Sequence, residues 1–391
     1  MKIGAIICEY NPFHNGHKYH IEKTRERFDI THLIAVMSGN FTQRGDIAVL
    51  DKWQRAKVAL DNGIDLVIEL PVAFSLTSAE QFAMGAVTLL NKLNCVETLS
   101  FGSESGDIEL LCETAGAVHY CMEQEVFRGL LRRGESYPAA LQKAVAHYYE
   151  DEIANALATP NNTLGIEYIK ALDETGSSIT PVTVKRFGAQ HDTVQTDETA
   201  NILSGSQLRD MLLIEGKDIT PYVPKGACFD NIADIGRLEL AVLSKLRGMS
   251  SAELLRVPNM QTELERRLSK ALKQAKTLNE VLTLTKTKSY TMARIRRAVL
   301  NAFLGISKAD LKALPAYIRV LGMNQRGREI LNTAQPQLPT GTSLKTLSET
   351  SQAALNQAEL ENRCSNQYSL CFNPPRPCGT EYSAKPIVTN N

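Results

Sequence analysis

The stretch Ile3-Gly4-Ala5-Ile6-Ile7-Cys8-Glu9-Tyr10-Asn11-Pro12-Phe13-His14-Asn15-Gly16-His17 decides how the chain is read. Ile3 to Ile7 is an uninterrupted apolar run, the pattern of a strand buried on both faces of a parallel sheet. Asn11-Pro12 breaks that run, and His14-Asn15-Gly16-His17 leads into a helix start. A glycine at such a junction lets backbone approach a phosphate. The helix N-terminus offers unpaired N–H groups to an anion, and imidazoles donate to phosphate oxygens as negative charge builds. His14, His17 and His20 are three of seven histidines and share one short window. Against a metal site, Cys8 and Glu9 fall on the strand and do not converge with the ring nitrogens at ligand spacing. The pattern points to a nucleotide, with no metal ligand assigned.

The rest of the first half repeats the strand-then-helix rhythm. Leu33–Met37, Leu66–Leu70 and Thr98–Phe101 read as further buried strands, ended by Ser38-Gly39-Asn40, Pro71 and Gly102-Ser103-Glu104-Ser105-Gly106. Another strand, Pro181–Arg186, ends in a basic residue at the same edge, and a helical insertion is expected near 107–157 with a helix start at Tyr137-Pro138. From Gly236 to Ile306 helical periodicity takes over, and the tail from Gln335 is looser, with one helix near Ser348–Glu361. The expected fold is therefore α/β: a Rossmann-like parallel sheet over residues 1–225, then a mainly α-helical domain over 226–391.

The 391 residues and 43% hydrophobic content allow sizeable cores. Forty-three basic residues balance forty-three acidic ones, so net charge selects no partner. The eight cysteines contain no Cys-x-x-Cys pair, and the even spacing of Cys364, Cys371 and Cys378 matches no zinc pattern, so free thiols are expected. No signal peptide or membrane-length apolar run is read, which leads to a soluble, cytoplasmic expectation.

A second motif, Ile202-Leu203-Ser204-Gly205-Ser206-Gln207-Leu208-Arg209, places small hydroxyl residues at a helix start with an arginine one turn on. Alone it reads as a helix cap; after His-x-Gly-His it can close over phosphates, with Arg209 supplying lasting charge. The ordered pair resembles the nucleotidyltransferase branch of the superfamily that also holds the class I aminoacyl-tRNA synthetases. The resemblance narrows with Met37-Ser38-Gly39-Asn40-Phe41-Thr42-Gln43-Arg44-Gly45, Asp51-Lys52-Trp53, Asp65 to Pro71, Phe101-Gly102-Ser103-Glu104, Pro160 to Tyr168, Lys185-Arg186 and Lys288-Ser289-Tyr290-Thr291. Together with the opening stretch these are similar to the tRNA(Met) cytidine acetate ligase family over nearly the whole chain.

The resemblance implies an ATP-dependent ligase. Acetate would attack the α-phosphate of ATP to give acetyl-adenylate and pyrophosphate. The wobble cytidine of elongator tRNA(Met) would then take the acetyl group as N4-acetylcytidine. It implies His14 and His17 as catalytic residues. The implied ATP contacts are Ile7, Cys8, Glu9, Tyr10, Asn11, Pro12, Phe13, His14, Asn15, Gly16, His17, Lys18, Tyr19 and His20, with Gly102, Asn161 (or Asn162) and Arg186 and, from the second motif, Ser204, Ser206 and Arg209. Mg2+ is expected with ATP; no protein partner or membrane is implied.

Some residues have a plainer reading. Arg44 suits an acetate or phosphate anchor or a surface loop, Trp53 a core, and Cys8 a strand position, since an adenylate route needs no acetyl carrier. Lys286, Lys288, Arg294, Arg296 and Arg297 form either a solvated helix face or a tRNA contact. The implied RNA substrate favours contact for Lys288, Arg294, Arg296 and Arg297, away from the strand ends. The competing functions are a small-molecule adenylyltransferase and a non-catalytic nucleotide- or RNA-binding scaffold.

Overall fold

A computed structural model of the chain describes residues 1–186 and 201–390. Its strands, in chain order, are β1 (Ile3–Cys8), β2 (His32–Ser38), β3 (Phe41–Thr42), β4 (Asp46–Ile47), β5 (Leu66–Leu70), β6 (Thr98–Ser103), β7 (Thr180–Lys185), β8 (Ile318–Met323), β9 (Thr340–Gly341) and β10 (Ile387–Val388). The main sheet runs β10-β8-β5-β2-β1-β6-β7 with β9 beside β8, and β3 and β4 form a separate hairpin. Strands β5, β2, β1, β6 and β7 run parallel to one another. Every residue of β1, β2 and β5 is buried, which is why these segments read as continuous apolar runs instead of alternating ones.

The chain steps outward from β1 through β2 to β5, then returns to place β6 on the other side of β1. That reversal opens a crevice at the carboxyl ends of β1 and β6, the usual ligand position in a doubly wound sheet. Helices Ile108–Met122, Glu125–Arg132, Tyr137–Tyr148 and Asp151–Ala156 fill the segment after β6, the third of them capped by Ser136 with Pro138 in its first turn.

The division expected at 225/226 does not separate two cores. Helices Glu239–Arg247, Thr262–Gln274, Leu278–Thr285 and Met292–Leu304 are present, but one apolar cluster runs from Ile3 and Val36 through Leu243, Leu268 and Leu300 to Tyr368. Strand β8 also pairs antiparallel with β5, so the sheet is mixed at this edge. Arg319 and Gly322 interrupt the apolar run that would have announced β8. The tail is less loose than its prolines imply. Its helix runs Gln352–Tyr368 because Ala354, Ala358, Glu361, Cys364 and Tyr368 bury one face.

Charge, as well as apolar area, ties this tail to the sheet. Lys52 Nζ bridges Glu69 on β5 (2.5 Å) and Glu381 in the tail (2.8 Å). Arg319 on β8 bridges the same two carboxylates, at 3.1 Å to Glu69 and also in contact with Glu381. All four side chains are at most 3% exposed.

Candidate nucleotide site

The site is built at the end of β1. Tyr10 turns the chain there with φ 50°, a left-handed conformation rare for a bulky residue and characteristic of functional loops. His14 is then the N-cap of the Asn15–Phe28 helix. Its Nδ1 accepts from the Gly16 N–H (3.1 Å), and His17 Nδ1 accepts from the His14 N–H (3.2 Å). Two histidines thus form a reciprocal capping box, the role usually taken by Ser or Thr with Glu or Gln. Because Nδ1 accepts in each ring, the proton of each neutral imidazole must sit on Nε2. The rings stack with centroids 3.7 Å apart, and Tyr10 and Phe13 lie 4.9 and 5.5 Å from the His17 ring.

Burial first, then the Arg186 and Arg209 guanidinium groups, pull His14 down to about 3. Burial, then His14, Arg186 and His20, lowers His17 as well. Burial and Arg186 bring His20 to about 4, and its Nε2 lies 3.1 Å from Ser100 Oγ. The pair His14–His17 is therefore a fixed set of neutral Nε2–H donors at ordinary pH. An unfolded histidine takes up a proton near pH 6.5 that these folded rings refuse. Stability from these groups is therefore complete above about pH 6.5 and lost as pH falls toward 4. His14→Asn, which keeps a capping acceptor but cannot titrate, should flatten the acid loss of melting temperature over that window. An unchanged acid slope in that variant would count against the neutral-ring assignment.

The facing wall comes from β6 and β7. A Cβ on Gly102 would stand 3.2 Å from Arg186 Cγ, so the glycine makes room for the arginine that follows β7. Glu104 accepts from the backbone N–H groups of Asn161 (3.3 Å) and Asn162 (2.8 Å) and from Asn161 Nδ2 (2.6 Å). Asn162 is spent inside the protein, its Oδ1 accepting from Glu104 N (2.8 Å) and Ser105 N (3.2 Å). Asn161 is partly exposed, with no partner recorded for its Oδ1 among the described residues. Of the two it is the better placed to meet a ligand.

The second motif packs directly on the first. Arg209 Nη1 donates to the Asn11 carbonyl (2.7 Å) and Nη2 to Ser206 Oγ (3.2 Å). A Cβ on Gly205 would come within 3.1 Å of that same carbonyl, and Asn15 Nδ2 donates to Asn201 O (3.2 Å) and Pro221 O (3.1 Å). Ser204 caps its own helix in a box with Gln207. It serves the helix as the plain reading held, which leaves Ser206 and Arg209 on the site side. Arg209→Ala should weaken ATP turnover about tenfold, the scale of a lost charge-assisted hydrogen bond. Arg209→Lys should restore part of it, since an ammonium keeps the charge without the two-pronged geometry. Normal turnover in Arg209→Ala at limiting ATP would reduce the motif to a helix cap.

Several loop residues have side chains tied into the protein, which leaves their backbone to line the site. Ile7, Cys8, Pro12 and Phe13 are buried, and burial raises the Cys8 thiol far above its usual range, so it is no acyl carrier. Lys18 is half exposed beside Glu22 (3.8 Å), and Tyr19 lies 5.9 Å under Lys23 Nζ. Asn11 holds the following segment through Ile47 O (3.0 Å) and Val49 N (2.9 Å). Arg55, fully buried, was not singled out by sequence. It donates to the carbonyls of Glu9 (2.6 Å), Ser38 (3.1 Å), Leu50 (2.9 Å) and Gly39, pinning the ends of β1 and β2. Nothing in its spacing marks it apart from any helix arginine.

The basic stretch is closer to the site than expected. Arg297 Nη1 donates to Gln43 O (2.9 Å), whose own N–H donates to Glu9 Oε1 (2.7 Å). Arg294 lies over the Tyr290 ring at 5.0 Å and donates to Asn259 O (3.1 Å); Lys288 pairs with Glu135 (2.9 Å). Arg296 is exposed. The stretch thus adjoins the strand ends because Gly45, with φ 75°, packs against the helix: a Cβ there would lie 2.5 Å from Arg297 N. Among the described residues no group of His, Cys, Asp or Glu is gathered as a metal site, and no helix is long and apolar enough to cross a membrane.

Comparison with known proteins places this geometry. The family model described as HIGH Nucleotidyl Transferase matches residues 1–381. The chain is 36% identical over 412 residues to the tRNA(Met) cytidine acetate ligase of Clostridium kluyveri, covering 99% of each. It is 35% identical over 425 residues to that of Halothermothrix orenii, covering all of both. Among solved structures, Thermotoga maritima TmcAL bound with alpha-thio ATP matches with a TM-score of 0.90 and 30% identity over the whole of both chains.

Proposed function

This chain belongs to the tRNA(Met) cytidine acetate ligase family, and from that premise we propose that it activates acetate with ATP and acetylates a cytidine of tRNA(Met). A carboxylate oxygen of acetate attacks the α-phosphate, the bond to the β-phosphate oxygen breaks, and pyrophosphate leaves. The N4 amine of the wobble cytidine of elongator tRNA(Met) then attacks the acetyl carbon. AMP departs and a proton is lost from nitrogen, giving N4-acetylcytidine.

The observation that carries this reading is the meeting of two fixed neutral imidazole donors, His14 and His17, with Arg186 and Arg209 at one crevice. Adenylation needs no protein nucleophile; it needs charge stabilised at the transferring phosphate and on the leaving pyrophosphate. Nε2–H groups of neutral rings donate without first gaining a proton. The two arginines supply positive charge, and Ser206 and Asn161 add neutral contacts. Magnesium would arrive on the ATP phosphates, since the described residues gather no carboxylate cluster to hold it. The exposed cations Lys288 and Arg296, with the half-buried Arg294, are the proposed phosphate-backbone contacts for the tRNA, a cytoplasmic substrate.

The test incubates the protein with ATP and labelled acetate, with and without tRNA(Met). Acetyl-adenylate alone and acetylated cytidine with tRNA are expected. Adenylation of another acceptor would favour a small-molecule adenylyltransferase, and ATP binding without pyrophosphate release a scaffold.

A further inference from the structure

Arg297 carries a cost that simple packing does not explain. Its guanidinium is half-buried, its Nε is enclosed without a partner, and burial, with Arg294 alongside, brings the group down to about 10. An apolar side chain would fill this space without desolvating a charge. The donor that is used, Nη1, meets the backbone carbonyl of Gln43 at 2.9 Å. The N–H of that same residue meets the Glu9 carboxylate at 2.7 Å. Both bonds are charge-assisted, and so stronger than neutral ones.

Gln43 lies in the turn between β3 and β4, and the nucleotide loop hangs from this hairpin at further points. Asn11 Nδ2 donates to Ile47 O (3.0 Å), and Val49 N donates to Asn11 Oδ1 (2.9 Å). The hairpin in turn is pressed on the Met292–Leu304 helix through Gly45, where no side chain fits. Glu9 is thus held twice: its carbonyl by Arg55 of the Lys52–Asp61 helix, and its carboxylate by a turn whose position Arg297 sets.

We propose that Arg297 is a positioning residue for the nucleotide loop, acting from the basic helix through the backbone of Gln43 onto Glu9. It is therefore set apart from Arg296, its exposed neighbour, in serving ATP and not RNA. The proposal rests on the reading of the Ile7–His20 loop as the ATP site.

ATP affinity of the full-length protein, measured calorimetrically without RNA, tests it. Arg297→Ala should weaken ATP binding on the order of tenfold, the scale of one hydrogen bond to a charged group. Arg297→Lys, which can still donate to Gln43 O, should recover most of that loss. Arg267→Ala, which removes an exposed charge on the Thr262–Gln274 helix, should bind as wild type. Glu9→Ala, which removes the acceptor of the Gln43 N–H, should weaken ATP as well, and the double variant Glu9→Ala/Arg297→Ala should lose less than the two losses combined, because the relay is already open. Wild-type ATP affinity in Arg297→Ala overturns the proposal, even if the melting temperature drops, for that pattern is packing alone. So does full additivity in the double variant. Wild-type protein that binds ATP but forms no acetyl-adenylate removes the proposed reaction and leaves the relay to be judged by these affinities. Wild-type protein that binds no ATP removes both.

Discussion

His17→Ala is expected to slow acetate-dependent release of pyrophosphate from ATP by about a hundredfold or more, the scale of losing one donor aimed at developing charge. The ring is a fixed Nε2–H donor because its Nδ1 is occupied by the His14 N–H at 3.2 Å. Alanine removes that donor and also opens one half of the helix cap, so the two consequences must be separated. His17→Gln offers a side-chain carbonyl three residues after the cap, the arrangement of an ordinary capping box. It should recover melting temperature while turnover stays low. ATP affinity should change far less than turnover in both variants, since the donor acts chiefly on charge that appears in the transition state. Pyrophosphate release near the wild-type rate in His17→Ala would refute this role. A rate restored in step with the melting temperature would make His17 a helix cap and nothing more.

The pairing of these roles in one residue explains what could be read from sequence. The continuous apolar run of β1, the break at Asn11-Pro12 and the glycine among histidines are local signals, and they located the crevice. The spacing of His14 and His17 also equals that of a capping box, but histidine is an uncommon cap and its tautomer follows from where Nδ1 points, which spacing does not encode. Arg209 was legible as a charge after a helix start, whereas its bond to Asn11 O joins residues 198 apart. Arg297 shows what periodicity leaves out. Helical periodicity put it outside its own helix, but the hairpin of β3 and β4 packs there at Gly45 and takes its Nη1 on Gln43 O, a contact between residues 254 apart. Strand β8 escaped because a parallel-sheet pattern has no place for arginine in its middle; Arg319 is tolerated there only because two carboxylates, one from the tail, are waiting for it.

Those carboxylates make the second large effect. Arg319→Ala is expected to lower stability by about 3–5 kcal/mol, the cost of leaving buried charge uncompensated. Glu69 and Glu381 would then share Lys52 alone, in a place where neither is more than 3% exposed. A third carboxyl nearby limits the explanation. Glu361 is 4% exposed and accepts from Val72 N (2.6 Å); burial first, then Glu69, pushes it up to about 8. At neutral pH it is mostly protonated, so Lys52 and Arg319 balance Glu69 and Glu381 one for one. A raised carboxyl gives stability that is complete below its unfolded value near 4.5 and lost as pH climbs through 8. Glu361→Gln, which mimics the protonated form, should therefore cost little near pH 5 and blunt the loss of stability as pH rises from about 4.5 to 8. Glu381 behaves oppositely. Despite its burial, Lys52 and then Arg319 hold it at about 2, so its contribution fails only in acid. Denaturant melts of Arg319→Ala and Glu361→Gln across pH 3 to 9 check both signs. If Arg319→Ala costs less than about 1 kcal/mol, below the range for a broken buried pair, the tail is held to the sheet by its apolar contacts and the charges are bystanders.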